Sequence, residues 1–181
     1  MKLSGDDMEE IHWRTLRLEL PEHGVGTLYD TEEQCRASFA RVRWPEGAQC
    51  PRCGASGPTR LASRHVYQCE KCRHQFSETS GSALHRTRIS LRTWFVATEI
   101  MILRRTGFGQ NRHVTTDSFA KNVGLQYVAA HRMKRIIIAD LSRSDGLLRQ
   151  CVCCRRFSLP DGVQPLTVEH LMWLIEMSYA G

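Results

Sequence analysis

Four cysteines between residues 50 and 72 have the residue type and the spacing of a metal site. Cys50 and Cys53 form one Cys-x-x-Cys pair, Cys69 and Cys72 form a second, and fifteen residues separate the pairs. Each pair can bend into a tight turn that presents two thiolates, and two such turns complete the tetrahedron that Zn²⁺ prefers. A thioredoxin-like redox centre would need only one pair, within a βαβ pattern that this sequence lacks. The spacing therefore predicts one structural zinc ion, with all four positions taken by sulfur and none left for catalysis.

Disulfides are the third chemistry open to a chain with eight cysteines. The first ten residues carry four acids, which is unlike a signal peptide, and no apolar run approaches the roughly 18 residues of a membrane helix. We therefore expect a cytoplasmic protein without a membrane partner, in which thiols stay reduced.

The four sulfurs need short structural elements to hold them. Gly54 directly follows the first pair, where the chain must turn with little steric hindrance. Short strands are predicted at 65–68 and 73–76, with Tyr67 and Phe76 covering one side of a small sheet. Because so small a sheet has little core of its own, we expect its folding to depend on the metal.

Two helices are predicted before the cysteine pairs. The first covers residues 6–20, with acids in its first turn. The second opens with a capping box at 31–34 and stops at Pro45. Cys35 lies on the apolar face of this second helix, so we expect a core thiol rather than a fifth zinc ligand.

The charge of the chain is divided into blocks. Residues 1–33 carry three Lys or Arg against nine Asp or Glu, residues 34–156 carry 22 against seven, and residues 157–181 carry none against three. The middle block therefore has a net charge of +15 within a total of +6. Of the 25 basic residues 21 are arginine, a bias that suits phosphate and guanine contacts but that a GC-rich genome also produces. A block of this kind predicts a surface for a polyanion, with nucleic acid as the expected partner.

Three further helices are predicted downstream. Ser90 is a plausible N-cap for a helix over 91–105 that is apolar on nearly all sides, as expected of a central core helix. A shorter helix over 116–122, a turn and a longer helix from Gln126 to about residue 140 follow. Ala120, four residues before the turn residue Gly124, matches what a helix-turn-helix requires.

The longer helix is predicted to read DNA. Its core face would carry Leu125, Ala129, Met133 and Ile136, and Ala130 would lie on the outer face with the polar residues. A glutamine there can read adenine, and lysine or arginine can reach phosphate or guanine. The alternative is a solvated helix face without a ligand. The predicted DNA contacts are Gln126, Tyr127, His131, Lys134, Arg135, Arg104, Arg105 and Arg112.

Together these residues resemble the N-terminal region of bacterial insertion-sequence zinc-ribbon transposases. The similarity runs from about Tyr29 to Ile102 and less clearly to Ile138. It rests on the motifs Trp44-Pro45, Cys50-Pro51-x-Cys53-Gly54, Tyr67-Gln68-Cys69-x2-Cys72, Gln75-Phe76-Ser77, Ser80-Gly81-Ser82, His85-x-Thr87 and Leu91-x2-Trp94-Phe95. The resemblance implies a region that binds the DNA ends of the element, followed in the family by a ribonuclease-H-like nuclease domain with an acidic triad.

The sequence departs from that family after Ile138. Only 43 residues follow, and a sheet that holds two metal ions on carboxylates needs on the order of 100 residues. The acids available there are Asp140, Asp145, Asp161, Glu169 and Glu176. We therefore expect no enzyme activity and predict a sequence-specific double-stranded DNA-binding protein, associated with the bacterial nucleoid, that acts as a regulator or accessory recombination factor.

Two other functions stay open. One is an RNA- or protein-binding zinc-ribbon adaptor, and the other is a truncated transposase that needs a separate catalytic chain. A separately encoded recombination or transcription protein would be the expected protein partner, and a homodimer is compatible with the sequence.

The last segment holds a second group of cysteines. Cys151, Cys153 and Cys154 could bind a second zinc ion completed by His170, or could be reduced, partly buried thiols. A last helix from Thr167 has an apolar face for docking on the core or on another subunit.

The predicted fold class is α+β and mostly helical, with a zinc ribbon followed by a helical helix-turn-helix domain. The predicted segments are an acidic helical segment at 1–29, a capped helix plus zinc ribbon at 30–88, the helix-turn-helix domain at 89–141, and a cysteine-containing tail with a C-terminal helix at 142–181.

Overall fold

The computed structural model describes residues 3–107 and 113–180. These residues form a mostly helical α+β fold with one small antiparallel sheet, as predicted. Its elements are α1 (Gly5–Leu18), α2 (Val25–Leu28), α3 (Glu32–Arg43), β1 (Thr59–Leu61), β2 (Val66–Gln68), β3 (Gln75–Phe76), α4 (Leu91–Arg105), α5 (Thr116–Val123), α6 (Tyr127–Leu141), α7 (Leu147–Val152) and α8 (Val168–Ala180).

Helix α4 is the centre of the core, as its apolar sequence predicts. Phe95, Met101 and Ile102 are fully buried, and α1, α2, α3, α5, α6 and α7 all pack against this helix. A helix that is apolar on every side is stable in water only when other elements cover it.

Local side-chain caps define where α3 and α4 begin. The Thr31 hydroxyl accepts a hydrogen bond from the Gln34 backbone N–H, and the Gln34 side chain accepts one from the Thr31 N–H. Ser90 caps α4 by accepting from the Thr93 N–H. Each cap satisfies a backbone donor that the first turn of a helix leaves free, so the predicted starts of α3 and α4 are confirmed.

The sheet belongs to the cysteine region and has the order β1-β2-β3. The predicted strands correspond to β2 and β3, whereas β1 was not predicted. Tyr67 pairs with Phe76 across these strands, and their rings stack with centroids 5.6 Å apart. Trp44, at the end of α3, packs edge-on against Tyr67. The sheet is therefore joined to α3 by an aromatic cluster.

A partly buried ion pair makes the same connection. The carboxylate of Glu78, just after β3, pairs with Arg36 of α3, and the Glu78 residue is only 3% exposed. Arg43 donates to the backbone carbonyls of Glu78 and Ser80. These contacts fix the cysteine region against the helical core.

All four predicted segments contribute side chains to the main core, for example Leu16, Phe39, Phe95 and Val152. The last helix, α8, packs against α1 of the same chain, where Leu174 contacts Ile11. Within the described ranges, no helix has the length and apolar character needed to cross a membrane.

Candidate metal centre and nucleic-acid interface

The four predicted ligands come together in one cluster. The Sγ atoms of Cys50, Cys53, Cys69 and Cys72 all lie within 4.8 Å of one another. Cys50 Sγ is 3.6 Å from Cys72 Sγ, and Cys53 Sγ is 3.5 Å from Cys69 Sγ. A tetrahedron with Zn–S bonds of about 2.3 Å has S–S edges of about 3.8 Å, whereas a disulfide is about 2.05 Å long. The donor set therefore fits a tetrahedral zinc ion, and the four cysteines form the structural zinc site of a zinc ribbon.

The two Cys-x-x-Cys turns have the same backbone hydrogen bonds. The Cys50 carbonyl accepts from the Gly54 N–H at 2.8 Å, and the Cys69 carbonyl accepts from the Arg73 N–H at 2.9 Å. In the second turn the backbone N–H of Cys72 has the largest effect in lowering the pKa of Cys69 to about 7, and the Cys53 thiol and the Lys71 N–H act in the same direction. Although the Ala55 backbone N–H lowers the pKa of Cys53, the hydrogen bonds that Cys53 shares with the other thiols raise it overall. A donor aimed at sulfur favours the thiolate, which is the form that binds metal.

The second group of cysteines does not form a comparable cluster. Cys151 and Cys153 are buried in the main core, and burial raises the pKa of each thiol to about 12. The Nδ1 atom of His170 instead accepts from the Leu166 N–H. Within residues 3–107 and 113–180, the ribbon cysteines are the one group of three or more metal-binding side chains whose ligand atoms lie together.

Cys35 is also a core thiol, as predicted. It is fully buried, and its burial raises the pKa of the thiol to about 11.

Helices α5 and α6 are joined by the predicted turn. Gly124 has a left-handed backbone with φ 66°, and the Leu125 N–H donates to the Ala120 carbonyl at 3.0 Å. This is the Schellman pattern that ends a helix at a glycine. Gln126 is the N-cap residue of α6, and its exposed side chain makes no capping bond.

The core face of α6 differs from the predicted one. Ala130, predicted on the outer face, is fully buried together with Met133, Ile137 and Leu141. Leu125, Ala129 and Ile136 are only partly buried. The predicted pattern was out of phase because several positions on both sides of the helix are apolar, and packing against α4 and α5 selects the stripe that includes Ala130.

Several predicted DNA contacts lie on the exposed side of α6. Tyr127 is 53% exposed and stacks on His131, with ring centroids 6.3 Å apart. Arg135 and Gln126 are also exposed. Arg132 is exposed on the same side and was missed, although its position three residues before the predicted contact Arg135 could have identified it.

Other predicted contacts are engaged with the protein itself. The Lys134 ammonium donates to the Val114 carbonyl and is partly buried. Arg105 pairs with Glu9 at 3.0 Å and lies over the Trp13 ring. Arg104 is exposed and donates to the Asn122 side chain, which links α4 to α5. Arg112 lies outside the described residues.

A groove runs between α6 and the loop that leaves the ribbon. We call residues 81–89 the exit loop and the space between them and α6 the α6 groove. The groove has two adjoining parts, of ≈ 490 Å³ and ≈ 920 Å³. Arg86 and Arg88 of the exit loop and Arg132 and Arg135 of α6 line it. Arg86 and Arg88 were not predicted, because nothing local distinguishes them from the other arginines of the basic block.

Two acids of the C-terminal region, Asp140 and Asp145, serve the fold. Asp140 is partly buried and accepts from the Arg149 N–H at 2.9 Å, near the start of α7. Burial raises the pKa of its carboxyl group. Asp145 forms a two-point ion pair with Arg143.

The geometry defines a zinc-ribbon protein, and comparison with known families gives the type of ribbon. Residues 30–75 match the family model described as the transposase zinc-ribbon domain. The match starts at the residue before the cap of α3 and ends in β3, so it covers the capped helix as well as the metal site. The predicted resemblance to zinc-ribbon transposases is confirmed over this region.

A curated relative gives the same indication. A protein of Halobacterium salinarum described as an uncharacterized protein in transposable element ISH50 is 30% identical over 83 residues. The match covers 44% of this chain and 28% of that protein, so the chain spans less than a third of the length of its relative. No solved structure matches the chain significantly.

Proposed function

We propose that this protein binds double-stranded DNA and reads its sequence with the exposed side of α6. The observation that carries the proposal is a stripe on α6 that no other described element covers. Val128 is 80% exposed and Tyr127 is 53% exposed at the start of the helix, and His131, Arg132 and Arg135 continue the stripe. In helix-turn-helix proteins the first residues of the second helix contact base edges in the major groove.

The position of Gln126 supports a reading role. Its side chain is exposed at the N-terminal end of α6, it has no structural hydrogen bond among the described residues, and it lines the smaller part of the α6 groove. A glutamine amide can make a paired hydrogen bond to adenine N6 and N7. The +15 charge of residues 34–156 supplies the attraction to phosphate that every DNA-binding surface needs.

The zinc ribbon has a supporting role in this proposal. Its metal holds the short sheet, and the Glu78 ion pair and the Trp44 contact hold the sheet against α3. The transposase-type ribbon favours DNA over RNA as the ligand. We propose a regulator or an accessory recombination factor that works with a separately encoded protein and does not cut DNA by itself.

Selection from a random duplex library would test the proposal directly. Zinc-loaded protein comprising residues 1–181 is mixed with duplexes that contain a random central segment. Bound molecules are recovered over several rounds, and the products are sequenced. We expect one enriched consensus. Binding of a fluorescent consensus duplex, a scrambled duplex and a structured RNA is then compared by anisotropy at several salt concentrations.

The outcomes separate the candidate functions. Failure to enrich a consensus, or equal binding to the consensus and scrambled duplexes, would remove the sequence-reading role. Tighter binding to RNA than to duplex would select the adaptor function instead. Incubation of the consensus duplex with Mg²⁺ or Mn²⁺ tests the expected lack of cleavage, and metal-dependent nicking that an Asp or Glu substitution abolishes would show a transposase activity.

A further inference from the structure

The α6 groove contains two arginines, Arg86 and Arg88, that the proposed reading role does not use. We propose that Arg86 and Arg88 of the exit loop bind consecutive phosphates of one strand of the duplex that α6 reads. The exit loop would then be a second DNA-binding element, placed beside the reading helix. This inference rests on the proposed function, since it assigns the contact to the same DNA.

The charges in the groove point to an anionic ligand. Arg86, Arg88, Arg132 and Arg135 are exposed, and none of them forms an ion pair with another described residue. Other arginines of the chain do have acidic partners, for example Arg143 with Asp145. Four guanidinium groups facing one groove repel one another unless an anion lies between them. The guanidinium fork matches the geometry of phosphate and of carboxylate, and phosphate is the anion that the proposed DNA ligand supplies.

The acids that line the groove do not cancel this charge. Five arginines line the groove against two acids, and one of these acids, Asp145, is already paired with Arg143. Both acids lie in the larger part of the groove. The smaller part, which holds Arg86 and Arg88, has no acidic residue in its lining.

The exit loop is held firmly enough to present its arginines in fixed positions. Leu84 is anchored in the main core and is 3% exposed. The Trp94 indole N–H of α4 donates to the Thr87 hydroxyl at 3.1 Å, and Thr87 lies between the two arginines. Arg86 itself has φ 57°, in the left-handed region that non-glycine residues rarely adopt. Strained residues of this kind are often found at binding sites, where the surrounding structure maintains them.

The location of the loop favours a duplex backbone. Arg86 and Arg88 line the same part of the groove as Gln126, the proposed base-reading residue. When a recognition helix enters a major groove, the phosphates that border the groove lie beside the helix, and contacts to them fix its register. A loop that flanks the first turn of α6 is in the position to make those contacts.

The test compares two double variants that lose the same charge. Arg86→Asn with Arg88→Gln removes the two proposed contacts, and asparagine tolerates the left-handed backbone at position 86. Arg155→Gln with Arg156→Gln removes two exposed arginines that do not line the groove and is the control. Zinc content and thermal unfolding are measured first, to show that each variant is folded. The probes are the selected duplex, its scrambled version and one single strand of the selected duplex.

We expect the Arg86/Arg88 variant to lose affinity for both duplexes by a similar factor. The slope of log K against log salt should fall by about two, since each lost phosphate contact removes about 0.9. The control variant should change the slope by less than half as much. Ethylation interference on the selected duplex should then show two neighbouring phosphates of one strand that matter for the wild type but not for the Arg86/Arg88 variant.

Three results would overturn the inference. A variant that behaves like the control while the wild type still prefers the selected duplex would remove the exit loop from the interface and leave the reading role intact. A loss confined to the single strand would assign the arginines to unpaired DNA instead of the duplex. A wild type that fails to prefer the selected duplex would count against the proposed function itself, and the inference would fail with it.

Discussion

Gly54 and Arg73 occupy the same position in the two zinc-binding turns, directly after the second cysteine, and both have left-handed backbones, with φ 71° and φ 57°. Each N–H donates to the carbonyl of the first cysteine of its own turn. The turn geometry therefore requires a positive φ at this position, and only one of the two turns uses the residue that adopts it without strain.

The first prediction follows from this pair. Gly54→Ala should destabilise the ribbon by about 1–2 kcal/mol through backbone strain alone, because a Cβ at Gly54 would contact nothing within 4 Å. The stability of the ribbon in the Arg73→Gly variant should stay within about 0.5 kcal/mol of the wild type, because relief of backbone strain offsets the extra freedom of the unfolded chain. Chelator competition measures the zinc affinity of both variants, and this affinity reports ribbon stability because metal binding and folding are coupled. Equal losses in the two variants would mean that backbone conformation does not limit these turns.

The second prediction concerns the metal. Cys53→Ser should release zinc and unfold the sheet, because the ribbon has few core residues and a metal site lacking one thiolate binds weakly. Elemental analysis should find about one zinc per wild-type chain and far less in the variant. Cys154→Ser is the matched control, since Cys154 is exposed and outside the cluster. Wild-type protein without zinc would contradict the assignment.

The third prediction separates sequence reading from attraction. Gln126→Ala should cost roughly 1–3 kcal/mol of binding free energy on the selected duplex and much less on a scrambled one. Arg135→Ala should weaken binding to both duplexes alike and reduce the slope of log K against log salt by about one. Lys134→Ala should mainly lower the thermal stability, because the Lys134 ammonium is hydrogen-bonded to Val114. Anisotropy titrations measure the binding. Equal losses on both duplexes for Gln126→Ala would show that α6 does not read bases.

The fourth prediction concerns the join between α6 and α7. A Cβ on Gly146 would lie 2.1 Å from the Asp140 backbone oxygen, so Gly146→Ala should cost about 1–3 kcal/mol or more through forced movement of the backbone. Gly26→Ala is the control, because the nearest atom to its Cβ would be 3.8 Å away. Chemical denaturation of both variants tests the difference. A Gly146→Ala variant as stable as the control would contradict this close packing.

The fifth prediction concerns pH. Burial and the charge of Arg149 lower the pKa of His12, while Glu9 acts in the opposite direction. Because the unfolded chain then binds the proton more readily, stability should fall as the pH drops below about 6.5, the ordinary pKa of histidine. His12→Gln should flatten this part of the stability profile. Denaturation measured between pH 8 and pH 5 would show it, and parallel profiles for the two proteins would count against a role for His12.

Features set by neighbouring residues could be predicted from the sequence. The ribbon ligands are an example, because a Cys-x-x-Cys turn depends on the residues inside it and directly after it. The capping box of α3 is another, since its hydrogen bonds join Thr31 and Gln34, three residues apart. Strand β1 had no such local pattern and was not predicted.

The sequence by itself determined the metal site, the basic block and the positions of most helices, since each follows from local spacing or composition. Tertiary structure decided which side of α6 is buried, because the main core selects one of several apolar stripes. It also decided which arginines remain available. Arg105 is held by Glu9, 96 residues away, while Arg86 and Arg132 are brought to one groove by the folding of the exit loop against α6. Burial of the shared core makes these long-range placements, and no short stretch of sequence carries them.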